Sequence, residues 1–371
     1  MKVCIDIQAA IAQRAGVGRY TKSLVEHLGP LSGSDTLNLF YFDFKQRGIP
    51  FHVPNATLRA TTWCPGRMAQ KAWKTIGWPP FDWFAGTADL YHFPNFIIPP
   101  LSQGRTVVTI HDVSFMRFPD AAEPKNLLYL NGQIRRTVDR ADLILTDSQF
   151  SADEITELLN VPSDRVKAVH LGLTTNMNAP DATTIDAMRK HLKLDRPYLL
   201  FVGTLEPRKN IPFLVECFEQ MTAFDGDLVI AGMRGWKVDP ILTRMDASPR
   251  RERIRYLEYV EEEWLPPLYA GAELFIFPSL YEGFGFPPLE AMRCGIPVLS
   301  SRAGSLPEVL GDAAAYVNSY DAQEWAHATE ALLQDVDRRK ALSAAGEQQA
   351  ATYRWEETAR QTWELYREVI S

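Results

Sequence analysis

Short apolar runs of strand length alternate with helix-length segments along nearly the whole chain, and the alternation stops once and starts again. Strand-like runs occupy residues 3–7, 39–44, 90–93, 107–110, 143–146 and 166–171, with helical stretches at 17–28, 127–139 and 151–159. A polar stretch without a clear period, 174–184, breaks the series and reads as a linker. The pattern resumes with strand-like runs at 198–203, 227–232, 254–259, 274–277 and 297–300, helical stretches at 213–221 and 289–293, and a long helical tail. Strands separated by helix-length segments pair in parallel through crossover connections, and the helices then cover the sheet faces. A chain of 371 residues is long enough for two such halves, each with its own core.

The expected architecture is α/β: two Rossmann-like domains with parallel sheets facing an interdomain cleft, the first over 1–180 and the second over 181–352. Sheets of this kind bind ligands beyond the carboxyl ends of their strands, so the residues after each strand are the ones to read for chemistry. The run 274–277 leads into Tyr281-Glu282-Gly283-Phe284-Gly285-Phe286-Pro287-Pro288-Leu289-Glu290. Here a glycine turn enters a proline-started helix, which presents backbone N–H groups and a positive helix end suited to a diphosphate. Glu282 leaves the strand end, and Glu290 sits about one turn into the helix, where a carboxylate can grip a diol. The run 198–203 is followed by Arg208 and Lys209, two cations able to neutralise a diphosphate and the charge developing on it as a bonded group leaves. The run 107–110 ends at His111-Asp112, which puts an imidazole at a strand's carboxyl end. After the first strand, Gly16-Val17-Gly18-Arg19-Tyr20-Thr21 makes a tight turn into a helix. It is not a dinucleotide fingerprint, because Thr21 stands where the third glycine would be.

Composition narrows the classes. A net charge of -7 argues against nucleic acid as the default partner. Cys4, Cys64, Cys217 and Cys294 are scattered and read as free thiols of a reducing compartment. The first residues enter a strand directly, without the pattern of a signal peptide, and no apolar run approaches a membrane span. These features predict a cytoplasmic protein, peripheral at most to the inner face of a cell membrane. No cluster has metal-ligand spacing; Asp225-Gly226-Asp227 precedes a strand and reads as a turn, so neither an essential metal nor a cofactor is expected.

The stretch from Glu282 to Glu290, extended by Ala291-Met292, Cys294-Gly295 and Pro297-Val298 and then by Ser301 to Glu308, resembles the motif of retaining glycosyltransferases of the GT-B type, family 4. The His111-Asp112 pair and the Gly16–Gly18 loop resemble the corresponding loops of that family. The resemblance implies a GT-B fold whose last helix, about 355–369, returns to the first domain. It implies transfer of a hexose from a nucleoside diphosphate sugar to an acceptor hydroxyl with retained anomeric configuration. Gly16, Gly18, Arg208, Lys209 and the backbone of Gly283, Phe284 and Gly285 would hold the diphosphate, and Glu290 the ribose. Glu282, His111 and Lys209 would be the catalytic residues, with no metal. Many relatives carry Arg where this chain has Thr204, which puts the number of cationic contacts in question. The wording of residues 16–21, 111–115 and 203–210 resembles bacterial mannosyl- and deoxymannosyl-transferases of lipopolysaccharide and other surface polysaccharide assembly, so GDP-mannose is the expected donor and a UDP-glucose-type donor the second choice. Two other readings stand beside it: a nucleotide-sugar epimerase, and a non-catalytic nucleotide-sugar sensor, against which the His111 and Glu282 pair argues.

Residues 63–84 hold four of the nine tryptophans together with Arg67, Lys71 and Lys74, and only one acid, Asp82. Rings beside cations suit a membrane surface, with Trp73 and Trp78 at headgroup depth and Arg67, Lys71 and Lys74 on anionic phosphate. Filling of the first domain's core by the same aromatics is the competing expectation. The resemblance favours docking, with a glycan or polyprenyl-linked acceptor met through this part of the chain.

Overall fold

Two wholly parallel sheets carry the chain in a computed structural model, which describes residues 1–12, 16–174 and 177–371, with 125 and 126 by backbone alone. Two residues of the expected linker, 175 and 176, therefore lie outside the described residues. The first sheet consists of β1 (Lys2–Asp6), β2 (Thr36–Phe42), β3 (Ala56–Thr61), β4 (Leu90–Phe93), β5 (Arg105–Thr109), β6 (Leu143–Thr146) and β7 (Val166–Ala168), in the order β3-β2-β1-β4-β5-β6-β7. The second consists of β8 (Tyr198–Val202), β9 (Asp227–Ala231), β10 (Ile254–Leu257), β11 (Leu274–Phe277), β12 (Val298–Ser301) and β13 (Ala315–Val317), in the order β10-β9-β8-β11-β12-β13.

The central strands are apolar throughout because both faces are covered. Tyr198, Leu199, Leu200 and Phe201 of β8 are fully buried, and burial of each such side chain contributes about 1.5–3 kcal/mol. The expected strands are present, but two observed ones were not expected. β3 is mostly exposed and reads Ala-Thr-Leu-Arg-Ala-Thr, so its sequence lacks the apolar run of an interior strand. β13 has three residues, too few to show a period. β2 begins at Thr36, ahead of the expected 39, because Asn38 is buried inside it and interrupts the apolar run.

In both sheets the strand order reverses once, between β1 and β4 and between β8 and β11. At such a point the two connections leave in opposite directions, and a crevice opens beyond the carboxyl ends of the neighbouring strands. The chain forms two compact units. Unit 1 comprises Met1–Val113, Lys125–Gly172 and Arg354–Ser371; unit 2 comprises Ser114–Pro124 and Leu173–Tyr353. The excursion Ser114–Pro124 was not anticipated. It is held within unit 2 by the Trp236 indole N–H, which donates to the Ala121 carbonyl at 2.5 Å, and by the Phe118 ring set edgewise to Tyr281 at 5.8 Å.

The last helix, Trp355–Ile370, belongs to unit 1 and lies against the helix Val17–Leu31. Its buried residues Trp355, Ala359, Trp363 and Tyr366 recur at helical spacing and form one apolar face. Polar contacts fix its register: Tyr366 Oη lies 2.6 Å from His92 Nδ1, and Thr358 Oγ1 donates to the His170 carbonyl at 2.7 Å.

Candidate active site

Unit 2 places its charged residues where its strand order reverses. The loop after β8 supplies Glu206, Arg208 and Lys209, and the loop after β11 supplies Glu282. A backbone bond from Leu280 N–H to the Arg208 carbonyl, 2.8 Å, ties the two loops together. Lys209 Nζ donates to Glu282 Oε1 at 2.6 Å, Arg208 Nη1 to Glu282 Oε2 at 3.1 Å, and Arg208 Nη2 to Glu206 Oε1 at 2.6 Å. The four side chains are 3–17% exposed, so this is a buried array of two acids and two bases. Pairing is obligatory at that depth, because a lone buried charge costs several kcal/mol. Burial alone would raise the Glu282 carboxyl, but Lys209 and Arg208 outweigh it and hold the group below the usual range. Burial pushes the Glu206 carboxyl up, opposed by the same two cations.

The motif between Glu282 and Glu290 owes its shape to two glycines. Gly285, at φ 100°, caps the helix Phe286–Arg293 in a left-handed conformation that a side chain would strain, and a Cβ there would also lie 2.7 Å from Leu306. Gly304 crosses directly over Glu282: a Cβ at this residue would stand 2.3 Å from the Glu282 carbonyl oxygen. The close approach lets Ser305 bind the turn, its N–H donating to the Glu282 carbonyl at 3.0 Å and its hydroxyl to the Phe284 carbonyl at 3.1 Å. Gly283, Phe284 and Gly285 thus form a fixed turn at the helix entrance. Within the helix Glu290 is buried, and the Tyr269 hydroxyl donates to its Oε2 at 2.9 Å.

In unit 1, His111 follows β5 and Asp147 follows β6, the adjacent strand. His111 Nδ1 donates to Asp147 Oδ2 at 2.8 Å, and Nε2 to the Pro94 carbonyl at 3.2 Å. Burial alone would lower the imidazole's pKa; the Asp147 charge and hydrogen bond, the Pro94 carbonyl and Asp112 together outweigh it, and the net shift is upward. Both nitrogens facing acceptors is the arrangement of an imidazolium. The Tyr20 ring meets His111 edgewise at 4.8 Å, and Tyr20 belongs to the helix that starts at Val17. Gly16 is the N-cap of that helix and Gly18 is buried in its first turn.

The structure brings Arg208, Lys209 and Glu282 together, sets Gly283, Phe284, Gly285 and Glu290 on the adjoining turn and helix, and leaves Gly16, Gly18 and His111 in unit 1. The cations expected to meet a diphosphate are already paired with carboxylates, a departure that follows from their burial. Glu206 was missed although it stands two residues before Arg208 at the same strand end. Asp147 was legible by the strand-end rule that picked out His111. Tyr269 and Ser305 had no local signal, since each meets the motif only through tertiary packing.

Residues 63–84 divide. Trp63, Trp78 and Trp83 are 71%, 54% and 63% exposed, and Arg67, Lys71 and Lys74 are exposed with them. Trp73 departs from the expected headgroup position. It is half-buried among Phe42, Phe81 and Phe84 at centroid distances of 6.0 Å, and its N–H donates to the Pro79 carbonyl at 2.6 Å. Among the described residues no helix is long and apolar enough to cross a membrane, and no three His, Cys, Asp or Glu converge on a metal site.

Residues 184–349 match the family described as glycosyl transferases group 1. Over nearly its whole length, the chain is 37% identical across 390 aligned positions to O-antigen chain mannosyltransferase B of Escherichia coli, covering 99% of this chain and 100% of that protein. The chain belongs to the group 1 glycosyltransferases. This glycosyltransferase is also 33% identical over 229 positions to the serotype-specific mannosyltransferase WbdA of Escherichia coli, an alignment spanning 60% of this chain and 28% of WbdA. Among solved structures it is similar to sucrose-phosphate synthase of Thermosynechococcus elongatus, with a TM-score of 0.74 at 19% identity over 100% of this chain and 99% of the other. The Anabaena protein HepE, solved with UDP and glucose, gives a TM-score of 0.73 at 17% identity over 99% and 100%. These likenesses establish the fold class, two α/β units of the GT-B type.

Proposed function

We propose that this glycosyltransferase is a retaining mannosyltransferase that moves mannose from GDP-mannose onto a glycan or lipid-linked saccharide in cell-surface polysaccharide synthesis. The observation that carries the reading is the full-length 37% identity to an O-antigen chain mannosyltransferase. The buried array in unit 2 is consistent with it. A diphosphate would meet the backbone N–H groups of residues 283–285 and the positive end of the helix Phe286–Arg293. Arg208 and Lys209 would then share their hydrogen bonds between phosphate and the carboxylates that hold them. Glu290, oriented by Tyr269, would take the ribose diol. Glu282 would stabilise positive charge on the sugar as the diphosphate leaves. Within unit 1, His111 could exchange its longer bond, the 3.2 Å contact to Pro94, for a sugar hydroxyl. No metal is assigned a step, and cationic side chains would take that part.

Ligand-dependent melting tests the donor. A ligand at 100 times its Kd stabilises by about 2.7 kcal/mol, enough for a rise of several degrees. GDP-mannose is expected to raise the melting temperature of the wild type while UDP-glucose does not, and Glu290→Gln is expected to reduce the rise. A larger rise with UDP-glucose overturns the choice of donor.

A further inference from the structure

Four polar side chains run through the interior of unit 1 in one hydrogen-bonded line. Tyr366 Oη, on the last helix, lies 2.6 Å from His92 Nδ1 on β4, and His92 Nε2 lies 2.8 Å from Thr109 Oγ1 at the end of β5. Thr109 Oγ1 in turn lies 3.0 Å from Tyr20 Oη, on the helix Val17–Leu31. The line ends at His111, where the Tyr20 ring stands edgewise to the imidazole that Asp147 holds at Nδ1 by a 2.8 Å bond. We propose that Asp147 and Tyr20 are positioning residues for His111, and that Tyr20 is itself held from the last helix through Thr109, His92 and Tyr366. The proposal rests on the reading that His111 meets a sugar hydroxyl.

Tyr366, His92, Thr109 and Tyr20 are 0–4% exposed. Docking a helix on a sheet calls only for apolar surface, which Trp355, Ala359 and Trp363 already supply. Polar groups at that depth cost free energy unless they are bonded, and a bonded line holds one geometry where apolar packing would tolerate several. His92 meets hydroxyls at both nitrogens, and burial, with the nearby His111 charge, pushes it down to about 3. A neutral ring donates at one nitrogen and accepts at the other, so it joins the two hydroxyls as a stiff link. Tyr20 also keeps its proton, because burial and then the Asp147 charge raise its phenol. His111 differs from His92 in its partner, a carboxylate only 8% exposed. That bond fixes the rotation of the ring and favours a proton on both nitrogens, so Nε2 faces its acceptor as a donor. Burial raises the Asp147 carboxyl, opposed by His111 and His170 and joined by Asp112. The titratable groups facing the His111–Asp147 pair are thus Asp112, His92, His170 and Tyr20.

Imidazole nitrogen NMR on the full chain reads the two histidines directly. His111 is expected as an imidazolium near neutral pH and His92 as a neutral ring. Asp147→Asn keeps the size of the side chain and removes its charge, so His111 should lose its proton about one to three pH units lower. Tyr20→Phe and Tyr366→Phe keep the rings and cut the line at either end; they lose only a hydroxyl and should fold even if Asp147→Asn does not. Each should shift the His111 signals, whereas Trp363→Phe, in the last helix but outside the line, should not. Release of GDP from GDP-mannose is followed on the same proteins. Asp147→Asn is expected to lower kcat about tenfold and Tyr20→Phe about fivefold, both with KM unchanged. Tyr20→Phe with Tyr366→Phe should lose no more than Tyr20→Phe alone, because both act through one line. His111 signals unmoved by Tyr20→Phe and Tyr366→Phe, signals moved as much by Trp363→Phe, or an unchanged His111 titration in Asp147→Asn overturns the proposal. His111→Ala separates the readings. If it is slow while the positioning variants match wild type, the positioning alone fails. If it matches wild type while the signals still shift, the role of His111 fails and the positioning stands. If no protein releases GDP, the donor reading fails and the imidazole signals decide.

Discussion

Lys209 and Glu282 lie 2.6 Å apart with side chains 9% and 7% exposed, so each is the main solvent of the other. Removing one member of a buried pair costs about 3–5 kcal/mol, because the survivor is stranded without water. Lys209→Met is expected near the lower end of that range, since Arg208 stays 3.1 Å from the Glu282 carboxylate. Adding Glu282→Gln removes the stranded charge, and the double variant should recover part of the loss instead of adding to it. Urea denaturation of the two single variants and the double variant measures the coupling; strict additivity would show that the pair is not energetically linked. Turnover should fall in all three. The sequence exposed both residues because each follows a strand in a recognisable motif. It hid their pairing, which depends on β8 and β11 being neighbours although the 71 residues 203–273 separate them in sequence, as the 2.8 Å bond between Leu280 and Arg208 registers.

The helix Gly66–Thr75 shows how one element divides its work. Its Gln70, Trp73 and Lys74 line a cavity of unit 1 beyond β1 and β4, while Arg67, Met68 and Lys71 lie outside that lining and are exposed, as Gln70 and Lys74 also are. The spacing of three and four residues puts the first set on one side of the helix. Docking on a membrane would therefore rest on Arg67 and Lys71 with the exposed Trp63, Ile76, Trp78 and Trp83, and Trp73 would take no part in it. A cation at an anionic surface contributes about 1 kcal/mol. Replacing Arg67 and Lys71 by Ala is expected to weaken vesicle binding about 30-fold at low salt, on that figure. Co-sedimentation with phosphatidylserine vesicles checks this; equal binding of both proteins, or none by wild type, rejects docking. Composition had flagged the segment, and only packing could say which rings turn inward. The same limit applies to strands. β3 and β13 escaped detection because an exposed edge strand and a three-residue strand carry no apolar run.

At the scale of the molecule, the chain passes between its two units four times, at 113/114, 124/125, 172/173 and 353/354. Periodicity revealed the two parallel halves, since alternating apolar strands and helices have few other solutions. It gave no sign of the excursion Ser114–Pro124, whose assignment depends on partners such as Trp236 and Tyr281 more than a hundred residues away. One consequence is that 18 residues at the end of the chain, Arg354–Ser371, complete the core of the unit that begins it. Trp363, 3% exposed in the last helix, reports on that closure. Trp363→Ala should cost about 3–5 kcal/mol as a large buried ring is removed. Its indole N–H is buried without a partner among the described residues, so Trp363→Phe forfeits no hydrogen bond to them and should cost much less. Hydrogen exchange followed by mass spectrometry locates the effect. In Trp363→Ala, protection is expected to fall across β5 and the helices Val17–Leu31 and Trp355–Ile370, and to persist in β8, β9 and β11. Loss confined to the last helix would show that unit 1 is stable without it, and equal loss in both sheets would show that the units unfold as one.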